Sequence, residues 1–242
     1  MEQPAEHWES LGPSLSIRVS SVHKFGTDAF LLSDFASPRR KDLCCDLGTG
    51  CGIVPLLWFR EDPPRLCYGV EVQKEAVDLL EQTVEKNGLA QQLIPVLQDL
   101  KELQSLPCGP LDLVTCNPPY QALQSGFLSQ HDAQRIARHE VLCTIDDICA
   151  AAGRLLRFGG RLCLCQRPER LCDTLCAMRQ AGIEPKRLRF VQQRAQTAPW
   201  LFLAEGKKGA RPHLRIEPPL LIEGEGGFSR EVLKIYRKNE NL

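Results

Sequence analysis

The 242-residue sequence has no apolar run of about 18 residues, the length a helix needs to cross a bilayer. Its opening residues include Glu2, Glu6 and Glu9, whereas a secretory leader needs a basic start and an apolar stretch. No membrane association is expected, and the default setting is cytoplasmic. Among the 12 cysteines there is no C-x-x-C pair: Cys44 and Cys45 are adjacent, Cys163 and Cys165 two apart, Cys172 and Cys176 four apart. Such spacing does not suit zinc, so no metal is expected, and a chain of this size without a secretory signal does not call for a disulfide framework. Cys163 and Cys165 lie in an apolar run, where cysteine acts as a small hydrophobe.

Net charge is also absent, with 30 Lys and Arg against 30 Asp and Glu. The balance is uneven. Residues 1–120 carry 10 basic and 17 acidic side chains, and residues 121–242 carry 20 and 13. A cancelled total thus conceals a basic second half, which suits a polyanionic partner or, equally, arginines scattered over solvated helices. What is plentiful is hydrophobic residues, at 43%. That fraction is enough for one sizeable core and argues against disorder.

From residue 42 onward, short apolar runs alternate with helical stretches, the pattern of a parallel sheet covered by helices. Strands are expected at Leu43–Leu47, Leu66–Glu71, Leu93–Leu97, Leu111–Cys116, Arg161–Cys165, Glu184–Val191 and Trp200–Glu205. Helices are expected at Gly52–Arg60, Lys74–Asn87, Thr144–Phe158 (closed by Gly159-Gly160) and Pro168–Ala181. The fold class is therefore α/β: a Rossmann-like, seven-stranded, mostly parallel sheet over residues 42–205, with helices on both faces. Residues 1–41 form an N-terminal extension with a short helix from about Thr27 to before Pro38, which Thr27 or Asp28 is able to cap. Residues 206–242, rich in Gly, Pro and charge, form an irregular or hairpin C-terminal extension. Residues 121–139 lack periodicity and follow the fourth strand directly, and long loops of that kind are often functional.

The first strand runs into Asp46-Leu47-Gly48-Thr49-Gly50-Cys51-Gly52. The spacing differs from the G-x-G-x-x-G of dinucleotide loops, and the preceding acid would repel a pyrophosphate. The same acid can face the ammonium-bearing methionine end of S-adenosyl-L-methionine. Glu71, ending the second strand, can accept hydrogen bonds from both ribose hydroxyls, and Asp99, after the third, from an adenine amino group. Acids at successive strand ends behind such a loop amount to more than an ordinary βα turn.

Asn117-Pro118-Pro119-Tyr120 ends the fourth strand, on the edge where such sheets bind ligands. An exocyclic amino group is a weak nucleophile because its lone pair is delocalised into the ring. The Asn117 side-chain oxygen and the Pro118 carbonyl can hold its two hydrogens and aim the lone pair at a methyl group. Pro119 stiffens the turn, and Tyr120 can stack on the base. The reaction this suggests is an in-line methyl displacement from a sulfonium, driven by positioning and electrostatics.

Together these motifs resemble the class I S-adenosylmethionine-dependent methyltransferases that act on amino groups. A narrower set is similar to the bacterial family of tRNA-valine adenine-37 N6-methyltransferases. It comprises Lys24–Leu32 (including Gly26, Thr27 and Asp28), Asp46–Gly52, Glu71–Gln73, Asn117–Tyr120, Ala137–Glu140, Gly159–Arg161, Arg167–Leu171 and Glu205–Gly209. The resemblance implies that the segment around Gly26, Thr27 and Asp28 closes over the cofactor. It also implies that tRNA is the partner and that the Arg138-His139-Glu140 stretch lies beyond the catalytic loop. Arg138, His139, Lys207, Lys208 and Arg211 are candidate RNA contacts. The alternatives are an N5-glutamine protein methyltransferase, for which 41 leading residues leave little room; a methyltransferase of rRNA or DNA amino groups; a non-catalytic RNA-binding module; and a nicotinamide dehydrogenase, which the glycine spacing disfavours.

Overall fold

The structure is a computed structural model that describes residues 5–60, 63–118 and 143–236. The elements come in the order β1 (Glu6–Ser10), β2 (Ser16–Ser20), α1 (Thr27–Ala36), β3 (Leu43–Leu47), α2 (Ile53–Trp58), β4 (Leu66–Glu71), α3 (Lys74–Lys86), β5 (Leu93–Leu97) and β6 (Leu111–Cys116). Beyond residue 142 follow α4 (Ile145–Leu155), β7 (Leu156–Gln166), a 3-10 turn Pro168–Arg170, α5 (Leu171–Gln180), β8 (Ile183–Gln192) and β9 (Pro199–Lys208). The last pieces are β10 (Arg215–Ile216), β11 (Leu220–Leu221), β12 (Glu223–Gly224), β13 (Gly227–Phe228) and α6 (Arg230–Tyr236).

Seven of these strands make the expected sheet, in the order β8-β9-β7-β6-β3-β4-β5, parallel except for β9, which runs antiparallel to both its neighbours. The two-residue strands β10 and β11 extend it beyond β8. Pro95 lies in β5, an edge strand, where a missing N–H costs no ladder bond on the open side. Alternate residues face two cores. Cys44, Cys67, Leu113, Cys163 and Cys165 pack on the side of α1, α2 and α3, while Cys45, Tyr68, Val114, Leu162 and Leu164 pack on the side of α4 and α5. Eight of the free cysteines are buried. Burial pushes the thiols of Cys44, Cys45, Cys67 and Cys116 well above their ordinary range, so they serve as small apolar filler.

Four boundaries depart from expectation. Thr144 does cap α4, in a reciprocal box with Asp147, but that helix ends at Leu155, and β7 starts at Leu156 rather than Arg161. Gly159-Gly160 is a bulge and not a helix stop: a Cβ on Gly160 would stand 2.8 Å from the Leu111 carbonyl of the neighbouring strand. Neither Thr27 nor Asp28 caps α1; Gly26 is the N-cap and offers no side chain. In the C-terminal segment β9 runs on through Lys207 and Lys208, β12 and β13 form a minimal hairpin, and a helix, α6, follows.

The unexpected β1–β2 hairpin is fastened to α3. Asn87, the C-cap of α3, accepts from the Ser16 N–H at 3.0 Å and donates to the Ser16 carbonyl at 2.7 Å, pairing with β2 as a strand would. The Arg18 N–H bonds Thr83 Oγ1 at 2.9 Å. Ile17 and Val19, on the inner face, are fully buried. Asn87→Ala is expected to lower unfolding free energy by about 1–3 kcal/mol, because the Ser16 backbone groups lose their partner. It is also expected to raise the hydrogen-exchange rate at Ser16, read alongside urea denaturation. An unchanged midpoint and unchanged Ser16 protection would remove Asn87 from this role.

Candidate active site

The parallel strands bring their carboxyl ends to one edge, and there Asp46, Glu71, Asp99 and Asn117 line a single cavity of about 300 Å³. Gly26, Asp28, Gly48, Gly50 and Pro118 line it as well. Thr27 and Gly52 do not. The Thr27 hydroxyl is turned to Tyr236 on α6, 2.9 Å away. Gly52 serves packing, since a Cβ there would stand 2.3 Å from Leu80 of α3, while Gly50, at φ +56° with open space around it, shapes the loop toward the cavity. Pro119, Tyr120, Arg138, His139 and Glu140 lie outside the described residues.

Glu71 does more than end a strand. Its Oε2 accepts the Gly50 N–H at 3.0 Å, and its Oε1 accepts the N–H groups of Val72 and Gln73 at 2.8 and 3.0 Å. One carboxylate thereby ties the glycine loop to the start of α3 and keeps further lone-pair capacity for a ligand's hydroxyls. Asp46 is fully enclosed and accepts from Thr115 Oγ1 at 2.6 Å. Burial pushes its carboxyl up to about 7 against the pull of that hydroxyl, and the nearby Glu71 charge adds to the rise. Asp99 accepts the Lys101 N–H at 2.8 Å in its own turn. Asn117 donates through Nδ2 to Asp28 at 3.0 Å and accepts at Oδ1 from the Cys165 thiol at 3.0 Å.

Val22, His23, Lys24 and Phe25 also line the cavity. Of these, Val22 and His23 gave no signal in the sequence. The His23 ring spans Ser20 Oγ at 3.4 Å and Gln73 Oε1 at 3.2 Å, joining the hairpin to the start of α3. Lys207 and Lys208 are not brought to this edge. Lys207 pairs with Arg161, which stands beside Leu113, well before the end of β6. Lys208 pairs with Ile183 at the start of β8 and donates to the Leu156 carbonyl at 2.7 Å. The Arg211 carbonyl accepts from Lys186. Several arginines of the basic half are engaged with acids: Arg161 and Arg187 both with Glu205, Arg157 with Asp112, and Arg189 with Glu231.

The model of the methyltransferase small domain family matches residues 23–179, a span holding the glycine loop, Glu71 and Asn117-Pro118-Pro119-Tyr120. The chain belongs to that family. Its methyl donor is S-adenosyl-L-methionine, and the cavity fits it: a glycine loop at close approach, a buried acid behind the loop, and a second acid with spare acceptor capacity. The methyltransferase is 26% identical over 219 residues to the tRNA1(Val) (adenine(37)-N6)-methyltransferase of Tolumonas auensis, covering 90% of this chain and 84% of that one. It is 26% identical over 157 residues to the protein of the same name from Porphyromonas gingivalis, covering 62% of this chain and 61% of that one. Among solved structures, a predicted O-methyltransferase of Agrobacterium tumefaciens shares the fold with a TM-score of 0.69 at 18% identity, over 87% of this chain and 95% of that one. TYW2 of M. jannaschii, solved with AdoMet, shares it with a TM-score of 0.56 at 12% identity, over 86% and 89%. No described helix is long and apolar enough to cross a membrane.

Asp46 sets a pH dependence. Its folded-state value near 7 exceeds the unfolded value of about 3.9. Between the two the folded protein holds the extra proton, so this group's contribution to stability falls as pH rises from about 4 to about 7. Asp46→Asn is expected to remove that slope: its melting temperature should pull ahead of the wild type across this window and run parallel above it, while affinity for S-adenosyl-L-methionine drops. Parallel curves throughout would show that Asp46 ionises normally. Glu71→Ala is expected to weaken S-adenosylhomocysteine binding by about 1.5–3 kcal/mol and to speed hydrogen exchange at Gly50. Unchanged affinity by calorimetry would remove Glu71 from the cofactor site.

Proposed function

We propose that this methyltransferase transfers the methyl group of S-adenosyl-L-methionine to the exocyclic N6 amino group of an adenine in tRNA, with adenine 37 of tRNA-Val as the target. The observation that carries the reading is Asn117 with Pro118 at the end of β6, lining the same cavity as Asp46 and Glu71. A methyl donor held by those acids meets two carbonyl-type acceptors, which is what an amino nucleophile needs. The Asn117 oxygen accepts from the Cys165 thiol, and in this reading it also takes an amino hydrogen of the substrate. The Pro118 carbonyl takes the other hydrogen, and Tyr120 stacks on the base. The proton leaves after the methyl has arrived, so no strong general base is required.

The RNA substrate rests on the relatives' names and on the basic half of the chain, with Arg138 and His139 as the contacts beyond the catalytic loop. Lys207, Lys208 and Arg211, away from the catalytic edge, belong at most to an outlying contact. A protein glutamine would be served by the same two acceptors, and the choice of substrate is the discriminating measurement.

Incubation with labelled cofactor and, separately, total tRNA, rRNA, DNA and protein is expected to label tRNA, with N6-methyladenosine found on nucleoside analysis. Label in glutamine instead would overturn the substrate. Asn117→Ala is expected to slow single-turnover transfer by about 10²–10³, by analogy with removal of an oriented oxyanion-hole donor, while leaving the cofactor site intact. Tyr120→Ala should lose both rate and RNA affinity, and Tyr120→Phe neither. Wild-type rates in Asn117→Ala would refute the proposed chemistry.

A further inference from the structure

Asn117 is useful to an amino substrate only if its oxygen, and not its nitrogen, is presented. An amide side chain is nearly symmetric in shape, so its surroundings must decide which end faces which way. Here both ends are fixed. Asp28 Oδ2 stands 3.0 Å from Asn117 Nδ2, and an ionised carboxylate accepts only. Cys165, buried in β7, donates its thiol hydrogen to Oδ1 at 3.0 Å. Turning the amide over would set its oxygen against the Asp28 carboxylate, an unfavourable contact, and would leave the thiol without its acceptor.

A second observation concerns Gly26. Its backbone is extended, at φ −118° and ψ −176°, so nothing in its own conformation demands glycine. A Cβ at that position would instead stand 2.7 Å from Asp28 Oδ1, with no other group so near among the described residues. The missing side chain leaves room for the carboxylate. The turn that carries Asp28 is held from outside as well: Tyr236 on α6 bonds Thr27 Oγ1 at 2.9 Å and stacks on Phe30 with ring centroids 4.3 Å apart.

We infer that Asp28 is a positioning residue for methyl transfer: it fixes the Asn117 amide with its nitrogen on the carboxylate and its oxygen turned from it, and Gly26 is glycine so that the carboxylate can reach. This differs from a cofactor-binding role for Asp28. It rests on the reading of Asn117 as the acceptor for the amino group.

The test compares wild type, Asp28→Ala, Asp28→Asn, Gly26→Ala, Asn117→Ala and the double variant Asp28→Ala/Asn117→Ala. Calorimetry with S-adenosylhomocysteine, single-turnover transfer to tRNA and NMR of the Asn117 side-chain NH2 (assigned by its loss in Asn117→Ala) are read on each. Asp28→Ala and Gly26→Ala are expected to slow transfer by about 10- to 100-fold with S-adenosylhomocysteine affinity within about threefold of wild type. Asp28→Asn, which keeps an acceptor oxygen, should recover part of the rate. The double variant should be no slower than Asn117→Ala, because the two side chains act as a unit. The Asn117 NH2 resonance should shift and exchange faster in Asp28→Ala. Multiplying losses in the double variant, or a fall in cofactor affinity that accounts for the lost rate, would overturn the proposal. An Asn117 NH2 signal indifferent to Asp28 would overturn it even if the wild type failed to methylate tRNA, an outcome that would instead count against the substrate reading.

Discussion

The carboxylate of Glu71 is the interaction on which the site depends. Three backbone N–H groups converge on it, one from the glycine loop and two from the entry to α3. A loop with Gly48, Gly50 and Gly52 all in the left-handed region has many alternatives in the unfolded chain, and glycine makes each of them cheap. The charge-assisted bond to Gly50 selects one. Because the acceptor is the last residue of β4 and the loop follows β3, their parallel pairing sets both ends of the bond. The sheet register thus reaches the cofactor cavity through a single side chain, which also retains acceptor capacity for the ligand.

Asp46 shows the opposite economy. It is buried beside a second acid, and no lysine or arginine among the described residues acts on it. A core optimised for stability would not keep a carboxylate there. The surroundings explain how the fold tolerates it: Thr115, its partner on β6, supplies a short hydrogen bond, and Gly69, its partner on β4, brings no charge. A cationic methionine end, were it held against Asp46, would turn this destabilising burial into binding energy for the donor, and the stability lost by burial and the affinity gained would then have the same origin.

Much of this was legible in the sequence, for identifiable reasons. The strands β3, β4 and β6 begin and end where the apolar runs do, because each is buried on both faces and its polar flanks begin the turns; β5, at the sheet edge and only partly buried, is marked by its apolar run alone. Asp46, Glu71 and Asn117 were legible because they close those runs. The hairpin was not. In β1, Glu6-His7-Trp8-Glu9-Ser10 is exposed along almost its whole length and carries no periodic signal. In β2, Ser16-Ile17-Arg18-Val19-Ser20 does alternate, and that was the available clue. Gly159-Gly160 misled because a glycine pair after a helical stretch ordinarily ends a helix, whereas here the requirement is a close approach to Leu111, a tertiary contact with no local trace. The charge imbalance is legible only as a total. A count of arginines cannot see that Glu205 engages both Arg161 and Arg187, or that Glu231 lies against Arg189.

The two ends of the chain meet on one structural task. The sheet supplies Asp46, Glu71 and Asn117, but another part of the lining, Val22 to Gly26 and Asp28, belongs to the segment that joins the hairpin to α1 and to the first turn of that helix. A connecting segment has little reason to hold one position, so its order must come from its flanks. On one side the hairpin is fastened to α3 through Asn87 and Thr83, and His23 is bonded to Ser20 and Gln73. On the other, α6 stacks Tyr236 on Phe30 and bonds Thr27, while Ser33 bonds Val54 and Trp58 on α2. The segment is therefore held between anchors on α3 and α6, distant in sequence from each other, and on α2, which follows the glycine loop directly. Small displacements of any anchor move Asp28 relative to Asn117, and a shift of an ångström in an oriented acceptor is enough to cost a large part of a positional advantage. The extensions thus bear on the reaction by fixing the geometry of a side chain that the sheet alone leaves undetermined.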